Sequence, residues 1–280
     1  MTGTLYLVPT PIGNLGDISA RCRATLEQAD FIAAEDTRVS LKLLNHLELK
    51  KPLVSYYEHN KTESGPRILE RLLAGENCAL VTDAGSPAIS DPGEDLVVLC
   101  HEAGVTVCPI PGPCAAVTAL SASGLPTGRF TFEGFLSTNK KSRQEHLAGL
   151  RGETRTMIFY EAPHKLLRTL QDLAAAFGAD RRVSLCRELT KLHEQIQRTT
   201  LGEAAGYYAQ NDPRGEFVLI VEGAAPKKPS ELTLEDAVAL TLERIGDGLS
   251  KKDAVRSVSD ETGFPKNALY DAVLKQASAK

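Results

Sequence analysis

Five short apolar runs, TLYLV (4–8), FIAA (31–34), LVSYY (53–57), CALVT (78–82) and VTVCPI (105–110), are separated by stretches of helical period, and this alternation limits the accessible folds most. Ile18, Cys22, Leu26 and Ala29 recur every three or four residues, as do Leu41, Leu44 and Leu47, then Ile68 and Leu72, then Leu96 and Leu99. Each gap is predicted to hold one helix whose apolar side needs a sheet to cover it. Strand and helix alternating in this way feed right-handed crossovers, so the expected fold is α/β, with a parallel, doubly wound N-terminal sheet. Ligands of such sheets bind outside the carboxyl ends of the strands.

A Gly/Pro break, GLPTGRF at 124–130, ends the alternation. Beyond it lie candidate strands at 130–136, 154–161, 182–189, 195–201 and 216–223, and a helix from Lys165 to Phe177. Two of these strands adjoin through a short turn, which predicts a mixed or antiparallel second sheet. GAAPKKPSELT at 223–233 has the composition of a linker, and the last fifty or so residues read as helical. The expected organisation is therefore an N-terminal α/β domain over 1–123, a second α/β domain over 124–225, and a linker with a small helical region over 226–280. In the last, Ser250 and Asp253 are spaced as a capping box and Pro265 suits a helix start. The region resembles a small helix-turn-helix. Lys251, Lys252, Arg256 and Lys266 would then meet nucleic acid, or the three helices form a cap or dimer element with solvated lysines.

Composition narrows the function classes. A chain of 280 residues with 42% hydrophobic residues can bury more than one core. A net charge of −4 gives no global attraction to nucleic acid, so any such site must be local. Lys140, Lys141 and Arg143 form the densest basic group, in a segment read as flexible. The six cysteines form no C-x-x-C pair, which predicts reduced thiols and a cytoplasmic protein. No leader or membrane-spanning apolar run is found, and no membrane association is expected. The six histidines lack ligand-like spacing, so no metal is expected. A G-x-S-x-G turn is absent, as are G-x-G-x-x-G and a P-loop.

Three Gly/Pro-rich turns follow predicted strands: VPTPIGNLGD (8–17), TDAGSPAISDPG (82–93) and PIPGPCAAVTAL (109–120). A parallel sheet puts all three on one edge. Small residues there let backbone N–H and C=O groups touch a ligand directly, which suits a nucleoside-bearing cofactor with many polar atoms. Asp83 and Asp91 either cap the flanking turns or contact that cofactor. Arg38, near a helix start where Asp36 or Thr37 caps, either grips an RNA phosphate or pairs locally with Glu35 and Asp36.

The ordered blocks VPTPIGNLGDIS, AAEDTR, LVTDAGSPAISDPG, PIPGPCA, FYEAPHKLLRTL, CRELTKLHE and GEFVLIVEG resemble the tetrapyrrole methylase superfamily over about 1–225, and within it a branch that modifies ribosomal RNA. The resemblance implies S-adenosylmethionine in a cleft between two α/β domains. It also implies 2′-O-ribose methylation of a cytidine in small-subunit ribosomal RNA, within the small ribosomal subunit, by a homodimer. The cofactor-binding positions it implies are Pro11, Ala84, Gly85, Ser86, Ile89, Cys114, Ala115, Glu161, Glu188 and Leu189. Tetrapyrrole-modifying members usually show G-D-P where this chain has Gly85-Ser86-Pro87, which argues against a tetrapyrrole substrate. A ribose hydroxyl needs its proton removed or polarised, and Glu188, Lys191 and His193 are the candidates for that task. The basic residues expected to hold RNA are Arg38, Lys140, Lys141 and Arg143. The competing readings are a small-molecule methyltransferase on the same scaffold and a non-catalytic nucleic-acid-binding protein.

Overall fold

In the computed structural model, which describes residues 2–225 and 232–277, β1 (Thr4–Leu7), β2 (Phe31–Ala34), β3 (Leu53–Ser55), β4 (Cys78–Val81) and β5 (Thr106–Pro109) form an all-parallel sheet in the order β3-β2-β4-β1-β5. Every residue of β2 and β4 is buried, because helices cover both faces. On one face α1 (Ala20–Gln28) and α2 (Thr37–His46) contribute Cys22, Leu26 and Leu44 to the core; on the other, α3 (Lys61–Leu73) and α4 (Glu94–Glu102) contribute Ile68, Leu72, Leu96 and Cys100. The expected helical stripes thus face inward, except that Leu41 is exposed. Ser19 and Asp36 cap α1 and α2 through side-chain oxygens that accept from Cys22 N and Arg38 N. The third strand stops at Ser55 rather than Tyr57: Asn60 donates to the Ser55 carbonyl at 3.0 Å and accepts from Tyr57 N at 2.8 Å, folding 56–60 into a turn.

The second sheet contains β6 (Phe130–Phe135), β7 (Thr156–Glu161), β8 (Arg182–Arg187), β9 (Gln195–Thr200) and β10 (Phe217–Val221) in the order β6-β7-β10-β8-β9. Only β6 and β7 run parallel; the other pairings are antiparallel, so the sheet is mixed as expected. One face packs on α6 (Lys140–Gly149), α7 (Pro163–Phe177) and α8 (Leu201–Tyr208) through Leu147, Leu170, Leu173 and Leu201. The opposite face presents Ile158, Cys186, Val218 and Ile220 to Ala116, Ala119 and Leu120 of α5 (Ala115–Ala122). That helix follows the last strand of the first sheet in the chain but packs on the second, and the described residues up to 224 form one compact unit.

The segment read as flexible around Lys140 is the start of α6. Asn139 caps it, accepting from Lys141 N at 3.0 Å and Ser142 N at 3.2 Å. Lys140 and Lys141 are exposed, but Arg143 turns inward and is only 5% exposed. Its Nε donates to Asp172 at 2.6 Å and its Nη2 to Thr169 Oγ1 at 2.7 Å. Arg143 is therefore removed from the RNA-facing group, because about 200° of rotation along α6 from Lys141 turns it toward α7.

The described residues from 232 to 277 form a second compact unit, with α9 (Leu234–Gly246), α10 (Lys251–Thr262) and α11 (Lys266–Ala277) around Ala237, Val238, Val255, Val258, Leu269 and Val273. Thr233 and Asp236 make a capping box, Ser250 accepts from Asp253 N, and Arg244 reaches Ser257 and Glu261. Most of the expected linker, 226–231, lies outside the described residues.

Candidate active site

The loops after β1, β4 and β5 meet at the carboxyl edge of the parallel sheet. Thr10 and Gly85 exchange two backbone hydrogen bonds of 2.9 and 3.0 Å, Thr10 Oγ1 donates to the Thr82 carbonyl at 3.0 Å, and Ser86 Oγ donates to the Pro113 carbonyl at 3.0 Å. Three separate strands are thereby tied into one rim made mostly of main chain. Gly85 sits at φ 90°, a conformation strained for any residue with a side chain, and a Cβ there would lie in van der Waals contact with Ile12 Cγ2 at 3.4 Å. Ala88 and Ser90 also hold left-handed φ values of 65° and 62°, as do Glu188 and Thr190 across the cleft at 50° and 65°. Four of the five such non-glycine residues among those described lie in these two loops. Strain of this kind costs roughly 1–3 kcal/mol per residue and persists where the surroundings dictate the shape.

The opposite wall comes from the second sheet. Phe217 pairs with Glu161 on one side and Arg187 on the other, so the ends of β7 and β8 and the beginning of β10 share one edge. Tyr160 Oη accepts from Ala116 N at 3.1 Å, joining that edge to the start of α5, and burial pushes its hydroxyl up to about 12. Glu161 is buried; its carboxylate accepts from Ala162 N at 2.9 Å and from Thr169 Oγ1 at 2.5 Å, the same hydroxyl that Arg143 contacts. Arg143 thus supports Glu161 through Thr169. Beyond β8, Glu188 Oε1 accepts from Glu216 N at 3.0 Å and from Lys191 Nζ at 2.9 Å, and Lys191 also reaches Glu216 Oε2 at 2.9 Å. Gly215 lets the Glu188 side chain pass, since a Cβ there would stand 2.4 Å from Glu188 Cγ. The Glu216 amide, aided by Lys191, holds the Glu188 carboxyl below its ordinary range against opposing burial. Burial works to lower the Lys191 ammonium, but the hydrogen bonds to Glu216 and Glu188 outweigh it and hold it above the usual lysine value.

Between the walls lies a cavity of about 330 Å³, within the roughly 300–1,000 Å³ typical of small-molecule sites. Of the positions singled out from sequence, Ala84, Gly85, Ser86, Ile89, Cys114, Ala115, Glu161, Leu189 and Lys191 line it. Pro11 and Glu188 stand behind the lining, represented by their neighbours Ile12 and Lys191. His193 is exposed and outside it. Arg38 is exposed, and its guanidinium pairs with Asp36, whose carboxyl it draws down to about 2.

Lining residues that the sequence pattern did not assign include Glu35, Thr82, Phe135, Tyr160, Glu216 and Phe217. Glu35 ends a parallel strand, which was a usable signal. Glu216 begins an antiparallel one, and nothing in its neighbourhood marks that end. Three carboxyls gather on the first-sheet side: Glu35 Oε2 accepts from Thr82 Oγ1 at 2.7 Å, Asp83 Oδ1 accepts from Asp36 N at 3.1 Å, and Asp91 lines the cavity with them. Asp83 therefore braces the entry to α2 rather than only its own turn. Burial, then the neighbouring Glu35, push the Asp83 carboxyl up and the Asp91 carboxyl to about 6. No three or more His, Cys, Asp or Glu among the described residues are arranged to hold a metal ion.

Residues 4–205 match the family described as Tetrapyrrole (Corrin/Porphyrin) Methylases, and residues 233–277 match the RsmI C-terminal HTH domain. A protein of Synechocystis named ribosomal RNA small subunit methyltransferase I is 49% identical over 98% of both chains. Proteins of the same name from Escherichia coli O157:H7 and Bacillus subtilis are 46% and 45% identical, covering 98% and 96% of this chain and 96% and 94% of their own. Among solved structures, the cobalt precorrin-4 methyltransferase CbiF superposes with a TM-score of 0.58 at 21% identity, covering 78% of this chain and 94% of that one. A diphthine synthase gives 0.60 at 14%, covering 79% and 90%. These two likenesses concern the fold.

Proposed function

Because the chain belongs to the tetrapyrrole methylase family, we propose that it transfers a methyl group from S-adenosylmethionine to the 2′-hydroxyl of a cytidine ribose in small-subunit ribosomal RNA. The observation that carries this reading is the end-to-end similarity to proteins named for methylating that RNA, which spans the cleft and the C-terminal helices alike.

The cleft suits the methyl donor. Its volume, its main-chain rim at Ala84, Gly85 and Ser86, and the carboxyls of Glu35 and Asp83 fit a compact, polar, cation-bearing molecule. Backbone groups of the 84–86 loop, with Ile89, Cys114 and Ala115, would hold it from the first sheet. Leu189 and the Tyr160–Ala162 segment would close on it from the second. When bound, S-adenosylmethionine supplies an electrophilic methyl carbon on a positively charged sulfur. The protein's task is to hold the attacking oxygen in line with that carbon at about 3–3.5 Å and to exclude water. The strained, cross-linked loops supply a rim that does not have to rearrange when the reactants arrive.

Lys140 and Lys141 at the start of α6, and Arg38, are the basic groups of the first unit offered to RNA phosphates. In the C-terminal unit Lys252, Arg256 and Lys266 border a common surface concavity with Tyr270 and are offered in the same way. The reading places the reaction in the cytoplasm, on RNA within the small ribosomal subunit, with the protein a homodimer. The six free thiols suit a reducing compartment.

Isotopically labelled S-adenosylmethionine, supplied with small subunits from cells lacking this protein, is expected to leave label on one cytidine ribose that then resists alkaline cleavage. Label in a tetrapyrrole, or no transfer at all, would overturn the reading.

A further inference from the structure

The geometry points to Asp91 as the group that takes the proton from the attacking ribose hydroxyl, with Thr82 and Glu35 as positioning residues; this inference rests on the methyl-transfer reading above.

The other carboxyls of the cavity and its ammonium are already committed. Lys191 hydrogen-bonds two carboxylates as an ammonium and has no lone pair to offer. The Glu188 carboxylate, behind the lining, accepts from Lys191 and the Glu216 amide, and a carboxylate so stabilised is a weak base. Glu161 is buried and accepts from Ala162 N and Thr169. Glu216 pairs with Lys191, Tyr160 stays neutral, and burial keeps the Cys186 thiol protonated. On the first-sheet side Asp83 accepts from Asp36 N, while Glu35 accepts from Thr82 Oγ1 and, at 3.4 Å, from Asp83 N.

Asp91 differs from all of these. It lines the cavity and is half-buried. Thr82 has one hydroxyl hydrogen to give and donates it to Glu35 Oε2 at 2.7 Å, which leaves none for Asp91. The carboxyl that goes without becomes the stronger base. Burial disfavours its negative charge most, and Glu35 next to the end of β2 and Asp83 from the same loop add repulsion, so Asp91 gains basicity without losing its charge at neutral pH. The same three carboxyls repel phosphate, so the part of an RNA suited to this side of the cleft is a sugar hydroxyl.

The step balances without a further reactant. The hydroxyl O–H bond breaks and its proton goes to an Asp91 carboxylate oxygen. The oxygen forms a bond to the methyl carbon, and the electron pair of the broken carbon–sulfur bond remains on sulfur as a neutral thioether. No external oxidant or reductant is consumed.

The test uses the full chain with small subunits lacking the modification, under single-turnover conditions, and measures S-adenosylhomocysteine binding by calorimetry in parallel. Asp91→Asn is expected to slow methylation by about 100-fold or more while changing product affinity by less than about threefold. Asp91→Glu should recover part of the rate. In the unliganded protein the carboxyl carbon-13 signal that Asp91→Asn removes should titrate near 6. Glu35→Gln should move both that titration and the acid limb of the rate profile to lower pH, because it removes a like charge. An Asp91→Asn protein as active as an active wild type, an unmoved acid limb in Glu35→Gln, or loss of product binding in both Asp91 variants would overturn the inference. A wild-type protein that methylates no RNA would instead overturn the reading on which it rests.

Discussion

The two sheets that face the cleft offer different chemistry to it, and topology is the reason. Every strand of the first sheet points the same way, so the loops after β1, β4 and β5 collect on one edge and meet through main-chain bonds such as the Thr10–Gly85 pair. In the second sheet only some strand ends reach the cleft. There β7 and β8 finish where β10 begins, and the contacts come from side chains: Tyr160, Glu161, Lys191 and Glu216. A wall of backbone depends on loop shape and is damaged by added atoms. A wall of side chains depends on the packing behind it and is damaged by removed ones.

The largest effect is expected where the side-chain wall is propped from behind. Arg143→Ala removes a buried guanidinium from Asp172 and Thr169, and Thr169 in turn holds Glu161. Asp172 keeps contact with solvent, so the loss is that of the guanidinium's charge-assisted hydrogen bonds, and denaturant unfolding should show a loss of about 3 kcal/mol. A wild-type unfolding curve in this variant would mean that the second sheet does not depend on this support.

Gly85→Val attacks the other wall by addition. At φ 90° a β-branched residue is strained, and its side chain would meet Ile12 on the cavity rim. A strain of about 2 kcal/mol borne only by the binding-competent loop weakens S-adenosylhomocysteine binding by roughly 30-fold. Calorimetry decides this, and unchanged affinity would remove the main-chain rim from the binding site.

The same topological contrast governs how much of the molecule is legible in its sequence. Parallel strands announce themselves as apolar runs, and their functional ends come directly after each run, so the loops at 82–93 and 109–120 stand out, while only the family resemblance picks Ala84 to Ser86, Ile89, Cys114 and Ala115 within them. Glu35 holds the same position after FIAA yet does not stand out, because a Glu-Asp-Thr-Arg stretch is equally an ion-paired helix start, and Arg38 does pair with Asp36. The cleft-facing end of β10 precedes its apolar run, and only the antiparallel register with β7 and β8 brings Glu216 and Phe217 to the site. Arg143 misleads for a different reason. Three basic residues in four positions look like one patch until a helix separates them by about 100° per residue.

Asp91 provides a pH test of the first wall. Its carboxyl titrates near 6 in the folded protein and near 3.8 as a free side chain. Between these values the native state binds the extra proton, so this group makes stability fall as pH rises from about 4 to about 6. Asp91→Asn removes that penalty. Discounted for the residue's partial exposure, the gain is about 1 kcal/mol above pH 6 and close to zero below pH 4. Thermal unfolding at pH 8 and pH 4 measures it. An equal change at both values would show that the effect comes from packing rather than charge.

The smallest effect separates the two faces of α6. Lys140 and Lys141 are exposed and the Lys141–Glu145 pair is loose at 3.9 Å, whereas Arg143 two residues on is locked against α7. Alanine at both lysines should leave unfolding within about 0.5 kcal/mol of wild type, as surface substitutions usually do. If they meet RNA phosphate, each loss should reduce the slope of log affinity against log salt by roughly 0.7–0.9, and the double variant by about twice that. Arg143→Lys at low temperature, where the fold survives, should weaken packing yet leave the slope alone, because this side chain faces Asp172 rather than solvent. A slope that falls for Arg143→Lys and holds for the lysine pair would reverse the assignment of α6's two faces and move the RNA path to the α7 side of the helix.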